Sequence, residues 1–235
     1  MKLTELDLAQ GTAQYHQTLC PAAWHNWEMH ATVHDGLLRI AMLFIENLDL
    51  PDFEIRDIRL TGSLANFNWT TYSDFDVHVV TDYSTLGCDD VAEALYKAKK
   101  TIWNEHHDIT VNGHEVEMYI EDTANRPHSI GVFSILKNQW IAKPKLVDPE
   151  YDKRAIDRKA QLMIDMIQRT LRRSKNASDY KQTLDKVYRI RQSGLEAGGE
   201  FSTENLAFKV LRNLGWIDRL RKGYDKIIDT TLSIR

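Results

Sequence analysis

Cysteine is scarce: Cys20 and Cys88 are the only two among 235 residues. That is too few for a disulfide framework, and a reduced cytoplasmic setting is the expectation. No apolar run approaches the roughly 20 residues a bilayer span needs, so no membrane partner is expected. The opening stretch, MKLTELDLAQGTAQYHQ, lacks the basic-then-apolar pattern of a secretory leader. The sequon Asn68-Trp69-Thr70 is then without consequence, because nothing routes the chain to a glycosylating compartment. Internal repeats and low-complexity tracts are absent as well.

What is present is an ordinary globular composition, 43% apolar and 27% charged, with a net charge of −4. That balance hides an asymmetry. Residues 151–235 carry 19 basic and 11 acidic side chains, which leaves 11 basic and 23 acidic ones in the first 150. An acidic part followed by a basic part suggests two units with different electrostatic roles, the second suited to a phosphate-bearing ligand.

Residues 22–48 place Trp24, Trp27, Leu37, Ile40, Leu43 and Phe44 at mostly helical spacings, which predicts one or two helices ended by Pro51. Residues 55–63 (IRDIRLTGS) predict a short strand running into a Gly-Ser turn, and 75–81 (FDVHVVT) an apolar strand. An amphipathic helix follows over 88–107, with Asp89 or Asp90 placed to cap it. Asn112-Gly113 between alternating strands predicts a hairpin, and Lys137-Asn138 predicts another. Past Pro144 and Pro149 the spacing is helical over 149–174, 178–194, from Ser202 onward and over 216–232. The expected fold is therefore α+β, a small mixed β-sheet with flanking helices followed by a C-terminal helical domain.

The informative segment runs from Leu60 to Val80. Asp74 and Asp76 are two apart at the start of a strand, and side chains at i and i+2 leave a strand on one face. The two carboxylates repel unless a cation sits between them. Hard oxygen ligands presented this way suit Mg²⁺, which takes one or two carboxylates and completes its shell with water and substrate phosphates. In His114-Glu-Val-Glu-Met-Tyr-Ile120, Glu115 and Glu117 share a face opposite Val116, Met118 and Ile120. Glu117, with apolar neighbours on both sides, is the better candidate for a third ligand. Three acids permit a two-ion site, Mg²⁺ or Mn²⁺, for phosphoryl chemistry. Gly62-Ser63 adds backbone N–H donors and a hydroxyl where a phosphate can approach closely.

These residues, in this order and spacing, resemble the DNA polymerase β-like nucleotidyltransferase superfamily. Its small members carry a Gly-Ser turn, a Ser-Asp-x-Asp motif opening a strand, and a later acid on a neighbouring strand. The matching residues here are Gly62-Ser63, Ser73-Asp74-Phe75-Asp76 and Glu117. The spacing from Gly62 to Asp74 is similar to that of minimal nucleotidyltransferases found in bacterial antitoxins and antibiotic-modifying enzymes. The stretches from Leu60 to Trp69 and from Gly199 to Leu206 resemble uncharacterised phage-encoded members. The resemblance implies that Asp74, Asp76 and Glu117 bind two metal ions and act in catalysis, while Gly62 and Ser63 hold the β and γ phosphates of a nucleoside triphosphate such as ATP. It covers roughly residues 55–145 and implies a catalytic core at 51–147. An N-terminal helical segment at 1–50 would pack on that core, and a helical domain would occupy 148–235.

The implied reaction moves a nucleoside monophosphate to an acceptor with release of pyrophosphate. The acceptor is open among RNA, a second nucleotide, a protein side chain and a small molecule, with the basic half favouring nucleic acid or nucleotide. The alternative is a nucleotide-binding regulatory or antitoxin-like module with weak or no turnover. Many minimal members place Arg-Gly where this chain has Asn66-Phe67, so a cation must come from elsewhere; Lys143, Lys145 and helix 153–173 are candidates. In haloacid dehalogenase-type phosphatases and many nucleotide-sugar glycosyltransferases an apolar strand precedes the Asp-x-Asp pair. Here Tyr72-Ser73 precede it and the strand follows. His78 reads as a packed sheet histidine, and Trp103-Asn-Glu-His-His107 has no metal-ligand spacing.

Overall fold

Strand alternation organises the first part of the chain. In the computed structural model, which describes residues 15–50, 53–86, 89–125, 129–146 and 149–233, six strands join in one mixed sheet. Pro51, Cys88 and residues 1–14 lie outside the described residues. The described chain falls into two compact units, 15–146 and 149–233.

The first unit begins with a short hairpin, β1 (Trp24–His25) and β2 (Glu28–Met29), and a helix α1 (Ala31–Leu48). The sheet strands are β3 (Asp57–Thr61), β4 (Phe75–Thr81), β5 (Thr110–Val111), β6 (His114–Asp122), β7 (Val132–Ser134) and β8 (Gln139–Ala142), with helix α2 (Asp89–His106) between β4 and β5. Their spatial order is β5-β6-β4-β3-β7-β8. Only β4 and β6 pair in parallel, because α2 carries the chain across between them. All other neighbours are antiparallel.

One sheet face is apolar. Ile58, Leu60, Phe75, Val77, Val79 and Met118 are fully buried there in one cluster with Leu37, Ala41 and Phe44 of α1. Those α1 positions repeat every three to four residues, which is why a helix can present them together. Full burial of each large side chain stabilises by about 1.5–3 kcal/mol. Beyond the two residues paired with β5, strand β6 is an edge that another chain could join. Asn104 of α2 closes it: its amide donates to Met118 C=O and accepts from Met118 N–H, both at 3.0 Å.

Two local expectations change. Helical spacing over 22–30 gives way to the β1–β2 hairpin, whose turn residues Asn26 and Trp27 sit at φ 48° and 71°. Tertiary contacts override the local pattern: Trp24 Nε1 donates to Leu64 C=O at 2.7 Å, and Trp140 Nε1 to Trp27 C=O at 2.9 Å. The turn between β7 and β8 is also longer than Lys137-Asn138. Ser134 pairs with Gln139, leaving four residues between them, because Ile135 is buried in the core and its N–H bonds Ile58 C=O at 2.7 Å. The Asn112-Gly113 hairpin forms as its sequence predicts, both residues at positive φ.

The second unit is helical: α3 (Lys153–Arg173), α4 (Ala177–Gly198), α5 (Thr203–Asn213) and α6 (Trp216–Leu232). Asp152 caps α3 by accepting from Ala155 N–H at 3.1 Å, and Ser202 caps α5 through Asn205 N–H at 3.3 Å. Ile156, Ile167, Val187, Leu211 and Leu220 form its separate core. The architecture is α+β, a mixed sheet with flanking helices and a helical C-terminal region.

Candidate active site

The sheet register sets Asp76 of β4 opposite Glu117 of β6, and Phe75 opposite Val116. Phe75, Val77 and Val79 fill the core, so alternation turns Asp76 to the other face, with Asp74 two residues earlier. Val116 and Met118 do the same for Glu117. An oxygen from each of Asp74, Asp76 and Glu117 lies within 4.8 Å of the other two. Glu115 is exposed and outside this cluster.

Near 5 Å and at an effective dielectric of about 20, each pair of carboxylate charges repels by about 3 kcal/mol. Three such pairs rival the whole stability of a typical domain, so the cluster calls for compensating positive charge. Carboxylate oxygens suit a small hard divalent ion, and these three residues could bind one.

Gly62 follows β3 and touches the cluster. It sits at φ 74°, and a Cβ there would lie 1.8 Å from Asp76 Oδ2. Glycine thus serves both the left-handed backbone and the space the carboxylate occupies. Ser63 opens a 3₁₀ turn over Ser63–Ala65. Its hydroxyl donates to Ser73 Oγ at 2.7 Å, and Ser73 Oγ also accepts from Thr70 N–H at 2.9 Å. The two loops that carry the site are therefore tied together. The groups a turn start leaves for an anion are its first backbone N–H groups.

Side chains from distant parts of the chain hold these loops. Asn66 Nδ2 donates to Gly62 C=O at 2.6 Å and to Ser129 Oγ at 3.0 Å. Gly131 lets that loop press against the turn, since a Cβ there would meet Ala65 C=O at 1.9 Å. Buried His114 places Nδ1 2.6 Å from Ser73 C=O, so that nitrogen carries the proton and donates. Its Nε2 faces Cys20 Sγ at 3.8 Å.

On the acid side, the Tyr119 hydroxyl donates to Glu117 Oε2. Burial first, then the charges of Asp76 and Glu117, push this hydroxyl far above the ordinary tyrosine range, so it remains a donor. His78 stacks on the Tyr119 ring at 4.8 Å, and Lys100 Nζ lies 4.1 Å from its centroid. His78 Nδ1 is 3.3 Å from Glu121 Oε2.

Lys143 stands over Trp27 at 5.1 Å, and Lys145 is exposed. Helix α3 lies in the other unit. Trp103 is a core residue against Phe44, as is Trp24, whereas Trp27 is 40% exposed. Sequence reasoning passed over Lys100, His114 and the tethering role of Asn66. For Tyr119 the signal was there, two residues past Glu117 on the same strand face.

No protein-family model matches the chain, and no curated protein matches it. Among solved structures it is similar to a STING-associated CdnE c-di-GMP synthase from Capnocytophaga granulosa, with 12% identity over 86% of this chain and 84% of that one. The TM-score is 0.25, a likeness too slight to speak for the chemistry.

Proposed function

We infer that this chain is a metal-dependent nucleotidyltransferase that moves a nucleoside monophosphate from a nucleoside triphosphate to an acceptor and releases pyrophosphate. The observation that carries the reading is the convergence of Asp74, Asp76 and Glu117 beside a Gly62 whose missing side chain makes room for Asp76. Acids alone are common on surfaces. Three that converge from two adjoining strands and the loop leading into one of them, packed against a turn that offers backbone donors, form a site suited to a cation and an anion together.

In this reading Asp74, Asp76 and Glu117 would hold two Mg²⁺ or Mn²⁺ ions. Bound ions neutralise phosphate charge and make the acceptor hydroxyl a better nucleophile. The backbone at Gly62 and Ser63 cradles the β and γ phosphates. The acceptor oxygen attacks the α-phosphorus, the bond from that phosphorus to the α–β bridging oxygen breaks, and pyrophosphate leaves with the electron pair. The acceptor's proton passes to Glu117 or to water.

In-line displacement puts nucleophile and leaving group on opposite sides of the phosphorus. With phosphates at Gly62 on the β3 side, the acceptor enters from the β6 side. A cleft of about 450 Å³ borders Tyr119, lined among others by Tyr83, Glu93, Lys97, Lys100 and Asp122. Residues 51–147 form the catalytic core on this account, with 1–50, described from residue 15, as its N-terminal segment and 148–235 as a helical companion.

Incubation with each α-labelled triphosphate, Mg²⁺ or Mn²⁺ and a cell extract tests the reading. Label transferred to a protein, RNA, nucleotide or small molecule, with pyrophosphate released, supports it and identifies the acceptor. Nucleotide binding without pyrophosphate release marks instead a regulatory or antitoxin-like module.

A further inference from the structure

The way Glu117 is held goes beyond its being an acid in the right place. Glutamate reaches a ligand through three rotatable bonds, and unrestrained it samples many positions or turns both oxygens toward one ion. Here Oε2 accepts from the Tyr119 hydroxyl, which leaves Oε1 as the oxygen free of that bond. The tyrosine is itself fixed. His78, its register partner on β4, stacks on the ring with 15° between the planes, and Lys100 of α2 lies over it. His78 is in turn beside Glu121. His78 is not part of the acid cluster, and both His78 and Lys100 pack on the ring of the residue that orients Glu117.

We propose that Tyr119 is a positioning residue that makes Glu117 a single-oxygen ligand, and that it thereby sets which divalent cation the site accepts. The proposal rests on the metal-site reading above. Mg²⁺ and Mn²⁺ take six ligands in near-octahedral geometry, whereas Ca²⁺ takes six to eight and favours carboxylates that chelate through both oxygens. A glutamate with one oxygen occupied by a phenol suits the smaller ions and handicaps Ca²⁺. Loss of the hydroxyl frees both oxygens, so it weakens the fit for Mn²⁺ and removes the handicap against Ca²⁺.

The test is Mn²⁺ binding followed by electron paramagnetic resonance on the whole chain, with Ca²⁺ as competitor, for wild type, Tyr119→Phe, Glu117→Gln, the double variant and Asp76→Asn. Tyr119→Phe should weaken Mn²⁺ by about tenfold, the lower end of what lost outer-sphere partners cost. The ratio of Ca²⁺ to Mn²⁺ affinity should rise by a similar factor. In the Glu117→Gln background the same substitution should change neither quantity, because the hydroxyl acts through that carboxylate. An unchanged Ca²⁺ to Mn²⁺ ratio in Tyr119→Phe, or an equal effect in both backgrounds, overturns the proposal. If wild type fails to bind Mn²⁺, or Asp76→Asn binds it as well as wild type, the metal-site reading itself fails.

Discussion

Asp76 and Glu117 are register partners on β4 and β6, the parallel pair of the sheet. Parallel pairing makes their proximity independent of any loop, since the same register buries Phe75 beside Val116 and Val77 beside Met118. A one-residue slip of either strand would turn its acid into the core and its apolar neighbours out. The register that builds the hydrophobic core therefore also assembles the acid cluster.

Without metal, Asp76→Asn removes one of three mutually repelling charges while keeping the side-chain shape. Its thermal midpoint in chelator should equal or exceed that of wild type. Added Mn²⁺ should separate the two. At a hundredfold excess over Kd, binding stabilises wild type by about 2.7 kcal/mol, a rise of about 5–10 °C for a chain of this size. The variant should show no such rise in a thermal-shift measurement.

Gly62→Ala should fail for a reason that Gly113→Ala does not share. Both glycines have positive φ, so both substitutions carry a backbone cost of about 1–3 kcal/mol. Only at Gly62 does the new Cβ collide with Asp76, at 1.8 Å, while nothing lies within 4 Å at Gly113. Gly62→Ala should also lose Mn²⁺ binding, and Gly113→Ala should keep it. Denaturant melts beside a metal titration check both halves.

Much of this was legible in the sequence, and the parts that were not share one cause. Asp74, Asp76, Glu117 and Gly62 announce themselves through strand alternation and a turn signal, both local. The Asn112-Gly113 hairpin is local in the same way. His114 gives no such signal, because its partner is a carbonyl 41 residues earlier. Asn66 reads as the absence of an arginine, yet it reaches Ser129, 63 residues on. Trp27 at positive φ could not be foreseen without Trp140 to bond its carbonyl. Long-range partners decide these positions, and spacing does not encode them.

Ser73→Ala should destabilise the fold by about 1–3 kcal/mol, because its oxygen accepts from both buried Thr70 N–H and Ser63. The same change loosens the link between the Gly62 turn and the loop before Asp74. Nucleotide affinity should fall with stability, and Ser73→Thr should restore part of both. Urea melts and a fluorescent-nucleotide titration read the two effects.

Alkaline stability should depend on Tyr83. Burial first, then the charge of Asp122, push its hydroxyl from 10.0 to about 12. The folded state therefore holds this proton more tightly than the unfolded one. The contribution is fully present below pH 10.0 and is lost as pH rises toward about 12. Its hydroxyl donates to Ile120 C=O at 3.0 Å. Tyr83→Phe should lower stability at pH 8 and flatten the decline between pH 10 and 12, measured by urea melts at each pH.

The most direct measurement is anomalous diffraction at the manganese edge from crystals grown with Mn²⁺ and a non-hydrolysable nucleoside triphosphate. The account predicts peaks bridged by the carboxylates of Asp74, Asp76 and Glu117, with the β and γ phosphates against the backbone at Gly62 and Ser63. Manganese bound elsewhere, or a triphosphate seated away from that turn, would contradict it.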